Sequence, residues 1–163
     1  MSVVLAPGAG RGARGAGAAL RPHTTPVKGT ILWIANLPQT TGLNPTNTAG
    51  YHFVSRTVTT NILSLSTKVA ISAGVDLATT SSSQASGSLS VCAQLTTGGA
   101  LKFANNVYPQ FTTPTPDQWF AQSDSGFLTN LSPAKYRFGL CMSGWSASTE
   151  FGNATGTVMV AAG

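Results

Sequence analysis

Two short segments constrain this chain more than any other part of it. Ser88–Leu95 reads SLSVCAQL, with Leu89, Val91, Ala93 and Leu95 alternating with Ser88, Ser90, Cys92 and Gln94. Tyr136–Cys141 reads YRFGLC, with Tyr136, Phe138 and Leu140 alternating with Arg137, Gly139 and Cys141. A period of two sends successive side chains to opposite faces, so each segment is expected to be a strand with one face on a core and one polar face. The only two cysteines of the chain sit on those polar faces. Thiols on matching faces predict a Cys92–Cys141 bridge between neighbours of one antiparallel sheet. Such a bridge belongs to an oxidising compartment; two reduced thiols in an intracellular protein are the alternative.

A chain of 163 residues fits one domain, and a domain of that size buries roughly 70% of the surface exposed by its unfolded chain. The bridge is therefore reinforcement rather than a condition of folding. Closing a loop of about 50 residues is worth about 4 kcal/mol in the chain-entropy model.

Charge is scarce: nine Lys and Arg and four Asp and Glu, 8% of the chain, against a usual quarter. Ser, Thr, Asn, Gln and Gly supply the hydrophilic surface. Arg11, Arg14, Arg21 and Lys28 lie in the first 28 residues, where no acid occurs, and the rest holds five basic and four acidic side chains. The body of the protein is nearly neutral, which does not support a domain-wide nucleic-acid footprint.

Residues 1–28 (MSVVLAPGAGRGARGAGAALRPHTTPVK) are Gly-, Ala-, Pro- and Arg-rich without a sustained apolar period. Such a segment cannot offset its ordering entropy by burial, so it reads as a flexible basic arm preceding a β-sandwich domain over 29–163. Val3–Leu5 is too short for the apolar stretch of a signal peptide. No segment reaches the roughly 18 apolar residues of a membrane span. The arm's four cations offer a modest, salt-sensitive attraction to phosphate, the only nucleic-acid contact expected.

From Gly29 onward the pattern is all-β. Strands are expected at Thr30–Leu37, Tyr51–Leu63, Thr67–Leu77, Ser88–Leu95, Ala100–Phe103, Tyr136–Met142 and Thr155–Ala161, separated by turn-rich pieces that include Gly144–Asn153. Asp117–Gln122 is expected to form a short helical turn. Seven or eight strands with regular turns predict a single antiparallel sandwich, either immunoglobulin-like or jelly-roll.

Leu131-Ser-Pro-Ala-Lys-Tyr136 has the form of the tyrosine corner that enters a late strand of immunoglobulin-like domains. Its cysteine falls five residues after the tyrosine rather than two, which argues against an antibody-type bridge between sheets. Ser-Val-Cys-Ala-Gln, this Leu-Ser-Pro-Ala-Lys-Tyr-Arg-Phe-Gly-Leu-Cys-Met run and the closing Gly-Asn-Ala-Thr-Gly-Thr-Val-Met-Val together resemble small exported actinobacterial β-sandwich domains found at cell surfaces or on phage-like fibres. The resemblance spans about residues 50–161 and implies a non-catalytic structural or adhesive module.

Catalytic and cofactor chemistry finds little material. Gly10–Gly15 matches G-x-G-x-x-G, but no helix follows it and the first acid is Asp76, so it reads as linker and not as a dinucleotide loop. The histidines are His23 and His52, and no serine stands in a Gly-x-Ser-x-Gly elbow. Asp117 and Asp124 bracket a loop but fall short of the six to eight oxygens that calcium requires. No cofactor, metal or catalytic residue is assigned. Binding is expected at aromatic loops, with Tyr108, Trp119, Phe120 and Trp145 as contact residues; plugging the ends of the sandwich is their alternative role. The expected function is a structural or interaction module of an extracellular surface or assembly, with self-association and a protein or glycan partner. The alternatives are a virus or phage particle protein and a carbohydrate-binding module.

Overall fold

The structure is a computed structural model, in which the described residues are 27–40, 50–80, 86–104, 110–112, 118–144 and 149–163. The expected arm, including Arg11, Arg14 and Arg21, lies outside them except for Val27 and Lys28. So do Tyr108, Asp117 and Trp145.

The molecule is all-β and consists of two antiparallel sheets. Ten strands occur among the described residues: β1 (Ile31–Thr40), β2 (His52–Phe53), β3 (Val58–Ile62), β4 (Lys68–Thr79), β5 (Ser86–Leu95), β6 (Lys102–Phe103), β7 (Gln110–Thr112), β8 (Phe120–Leu128), β9 (Ala134–Ser143) and β10 (Thr149–Ala161). Sheet A has the order β1-β10-β4-β8. In sheet B, β2 and β3 lie in succession along one side of β9, β5 lies on its other side, and β6 and β7 follow one another along the far edge of β5. Most chain neighbours thus fall in opposite sheets, and first and last strands lie side by side. This is the jelly-roll order, with its Greek-key connections, and it decides between the two sandwich types expected from the sequence.

The core lies between the sheets and follows the period of two. Val69, Ile71, Ala73, Val75 and Leu77 of β4 face Leu89, Val91 and Ala93 of β5 and Tyr136, Phe138, Leu140 and Met142 of β9, all buried. At roughly 25 cal/mol per Å² of apolar surface removed from water, this layer dominates the stability. Leu131 and Tyr136 of the Leu-x-Pro-x-x-Tyr run are core residues at the entry to β9; the strand order around them is not that of an immunoglobulin domain.

Three expectations are corrected. The helical turn over Asp117–Gln122 is replaced, in its described part, by the start of β8, where Phe120 packs against the core and Leu128 is buried within it. The turn-rich piece Gly144–Asn153 contains the first five residues of β10, whose Phe151 is buried and pairs with Leu77. The single strand over Tyr51–Leu63 is broken at residues 54–57, because Ser55 turns its hydroxyl into the sheet and accepts a hydrogen bond from the Leu140 N–H at 2.9 Å.

Candidate interaction surface

The outer faces of the two sheets are built differently. On sheet B the outward parity is Ser90, Cys92 and Gln94 of β5 and Arg137, Gly139 and Cys141 of β9. Cys92 and Cys141 form a disulfide with a Cα–Cα separation of 6.0 Å, bridging neighbouring strands diagonally. The sequence placed both cysteines opposite the core, and so they are, but that face is not open: both residues are fully buried. Phe53 pairs with Cys141 and Phe103 with Cys92, and Tyr51 packs against Phe103 with ring centroids 4.7 Å apart. The Arg137 guanidinium sits over the Phe53 ring, 5.1 Å from its centroid, and its Nε donates to Gln94 Oε1 at 3.0 Å. Segment 53–57 crosses Gly139 so closely that an added Cβ would lie 2.9 Å from Ser55 Oγ. Sheet B therefore carries its own lid.

Both edges of that sheet are completed by side chains. Next to β9 the gap between β2 and β3 is filled by Ser55. Next to β5, between β6 and β7, the Val91 N–H donates to Asp124 Oδ2 at 3.0 Å, while the Ala104 N–H donates to the Val91 carbonyl at 3.0 Å. Asp124, on the inward parity of β8, is buried and ties sheet A to sheet B. In the sequence it brackets a loop with Asp117, a pair too poor in oxygens for calcium. Its parity with Phe120 and Leu128 was the signal for an inward role.

Sheet A has no such lid among the described residues. Ile34 pairs with Met159, Met159 with Ala70, and Ala70 with Phe127, giving one apolar row across all four strands on the outward parity. Phe127 is 65% and Ile34 61% exposed. The next outward row is small and neutral: Asn36, Thr157, Ser72 and Ser125, with the Thr157 hydroxyl donating to Asn36 Oδ1 at 3.1 Å. Beyond it come Thr155, Gly74 and Ser123. A shallow trough of about 400 Å³ runs along Ala70, Ser72, Ser125, Phe127, Thr157 and Met159.

The aromatic contact residues separate. Trp119 is 53% exposed and lies across β10, where the absence of a side chain at Gly152 admits its ring: an added Cβ would meet Trp119 Cζ3 at 2.8 Å and the Asp76 Cβ at 3.0 Å. Phe120 turns inward against the core. Lys28 is exposed, in a turn held to the last strand by the Gly29 N–H donating to the Ala162 carbonyl. His52, in β2, pairs in register with Met142. Among the described residues no three His, Cys, Asp or Glu side chains gather as metal ligands, and no helix is long and apolar enough to cross a membrane. No family model and no curated protein matches this chain.

Proposed function

We propose that this protein is a non-catalytic structural module that works by self-association through the outer face of sheet A. The observation that carries the reading is the outward Ile34–Met159–Ala70–Phe127 row, whose end members Ile34 and Phe127 are exposed, on a domain whose other outer face is covered by its own chain over the disulfide. Continuous apolar rows on an exposed sheet mark contact surfaces rather than random exposure. The buried disulfide is in keeping with an extracellular or cell-surface setting, as is the resemblance to exported surface domains. Sedimentation velocity of the full chain over a wide concentration range tests it: a discrete oligomer is expected, and a monomer throughout would overturn it.

A virus or phage particle protein is the same reading at a larger scale, and the jelly-roll strand order favours it by fold-level analogy alone. A closed particle sedimenting far beyond a small oligomer would select it. The glycan-binding alternative draws on one further observation, the exposed Trp119 ring against Gly152 near Asp76. Oligosaccharides that quench Trp119 emission in the wild type, but leave a Trp119→Ala variant unchanged, would favour that alternative.

A further inference from the structure

The described charged residues of sheet A's outer face are sorted by sign along β4. Lys68 stands at its start, where Lys28 joins it beside Phe127 and Met159. Asp76 stands on the same face near its end, and Glu150 of β10, exposed and paired with Ala78, lies at that same end. Lys68 and Asp76 are eight residues apart, a span of roughly 26 Å at about 3.3 Å per residue. Between them the outward residues of β4 are Ala70, Ser72 and Gly74, without charge.

We infer that a second copy of this chain covers this face, related by a two-fold axis that lies between the A sheets of the two copies, passes over Ser72 of β4 and runs perpendicular to that strand. The inference rests on the self-association proposed above and gives it a geometry. Stacked sheets keep their strands within about 30° of one another, which leaves two ways for β4 to meet its copy. With the strands parallel, Lys68 would face Lys68 and Asp76 would face Asp76, and like charges would be brought together. With them antiparallel, Lys68 and Lys28 of one copy face Asp76 and Glu150 of the other, twice over, as an isologous contact requires.

The shape agrees with the charge. Reversal about Ser72 sets position 70 against position 74, so Ala70 of one copy meets Gly74 of the other. On β8, Phe127 meets Ser123, and on β10, Met159 meets Thr155. The large apolar side chains of one row thus fall on the smallest row of the partner, while the Asn36–Thr157–Ser72–Ser125 row lies along the axis.

The test is a charge exchange in the full chain, read by sedimentation equilibrium. Lys68→Asp and Asp76→Lys are each expected to weaken the dimer at least about tenfold by setting like charges opposite one another, and the double variant is expected to return to within about threefold of wild type. Phe127→Lys is expected to leave a folded monomer. Melting temperatures unchanged from wild type at a dilution where both are monomeric would show that these surface changes act on association. A wild-type oligomer indifferent to the single reversals, or not restored by the double one, would overturn this geometry and leave self-association standing. A wild type that is monomeric throughout would overturn both. A monomer whose Phe127 and Met159 resist surface labelling at every dilution would mean that the face is covered within one chain, and would likewise overturn the proposal.

Discussion

The outer faces of sheets A and B make opposite use of the same strand geometry. On sheet B, Ser90, Cys92 and Cys141, outward positions on the face that reads as polar in sequence, are fully buried, because Tyr51, Phe53, Phe103 and Arg137 close over the disulfide. On sheet A, outward positions that include Ile34 and Phe127 stand more than half exposed. A lid contributes to folding stability because it removes apolar surface from water within one chain. An open apolar row contributes nothing comparable until a partner arrives. Stability should therefore respond to changes on the outside of sheet B, and association to changes on the outside of sheet A.

The largest loss is expected from removing the bridge beneath the lid. The Cys92→Ala/Cys141→Ala variant closes no loop across a sequence separation of 49 and should lose up to about 4 kcal/mol in chemical denaturation. Intact mass should show the native chain lighter by about two hydrogens before reduction.

Next comes Gly139→Ala, in which the new methyl meets Ser55, Phe53 and Thr57 and should cost about 1–3 kcal/mol as the crossing segment is pushed outward. Asp124→Ala should fall in a similar range, about 1–3 kcal/mol, because it leaves the Val91 N–H without its acceptor; an undiminished denaturation midpoint would show that water replaces the carboxylate. The smallest effect is expected on sheet A. Phe127→Ser should change monomer stability by less than about 0.5 kcal/mol while weakening association. A Phe127→Ser monomer that unfolds much more readily would erase the contrast between the two faces.

Much of the sandwich was legible in the sequence, and the reasons differ by element. In β5 and β9 the apolar residues alternate without a break, so strand, core face and cysteine adjacency could all be read locally. β8 was missed because FAQSDSGFL lacks the β-branched residues that mark strands, and its Ser, Asp and Gly are those of a turn. Gly152 and Asn153 hid the first part of β10 in the same way. The break between β2 and β3 answers to a hydrogen bond between Ser55 and Leu140, 85 positions apart, and no local pattern encodes it.

The candidate site was the least legible part. Ile34, Ala70, Phe127 and Met159 come from four separated strands and form a row only once the order β1-β10-β4-β8 is known. The sequence looked instead to aromatic loops. Of the two aromatics described there, Trp119 is exposed, while Phe120 is part of the packing.

The most direct measurement is hydroxyl-radical footprinting of the full chain at rising concentration. Phe127, Met159 and Ile34 should lose reactivity together as the chain associates, while Tyr51 and Phe103, half-buried in the sheet B lid, should not change. Protection that appears elsewhere, or reactivity on sheet A that stays constant while the protein associates, would contradict the account.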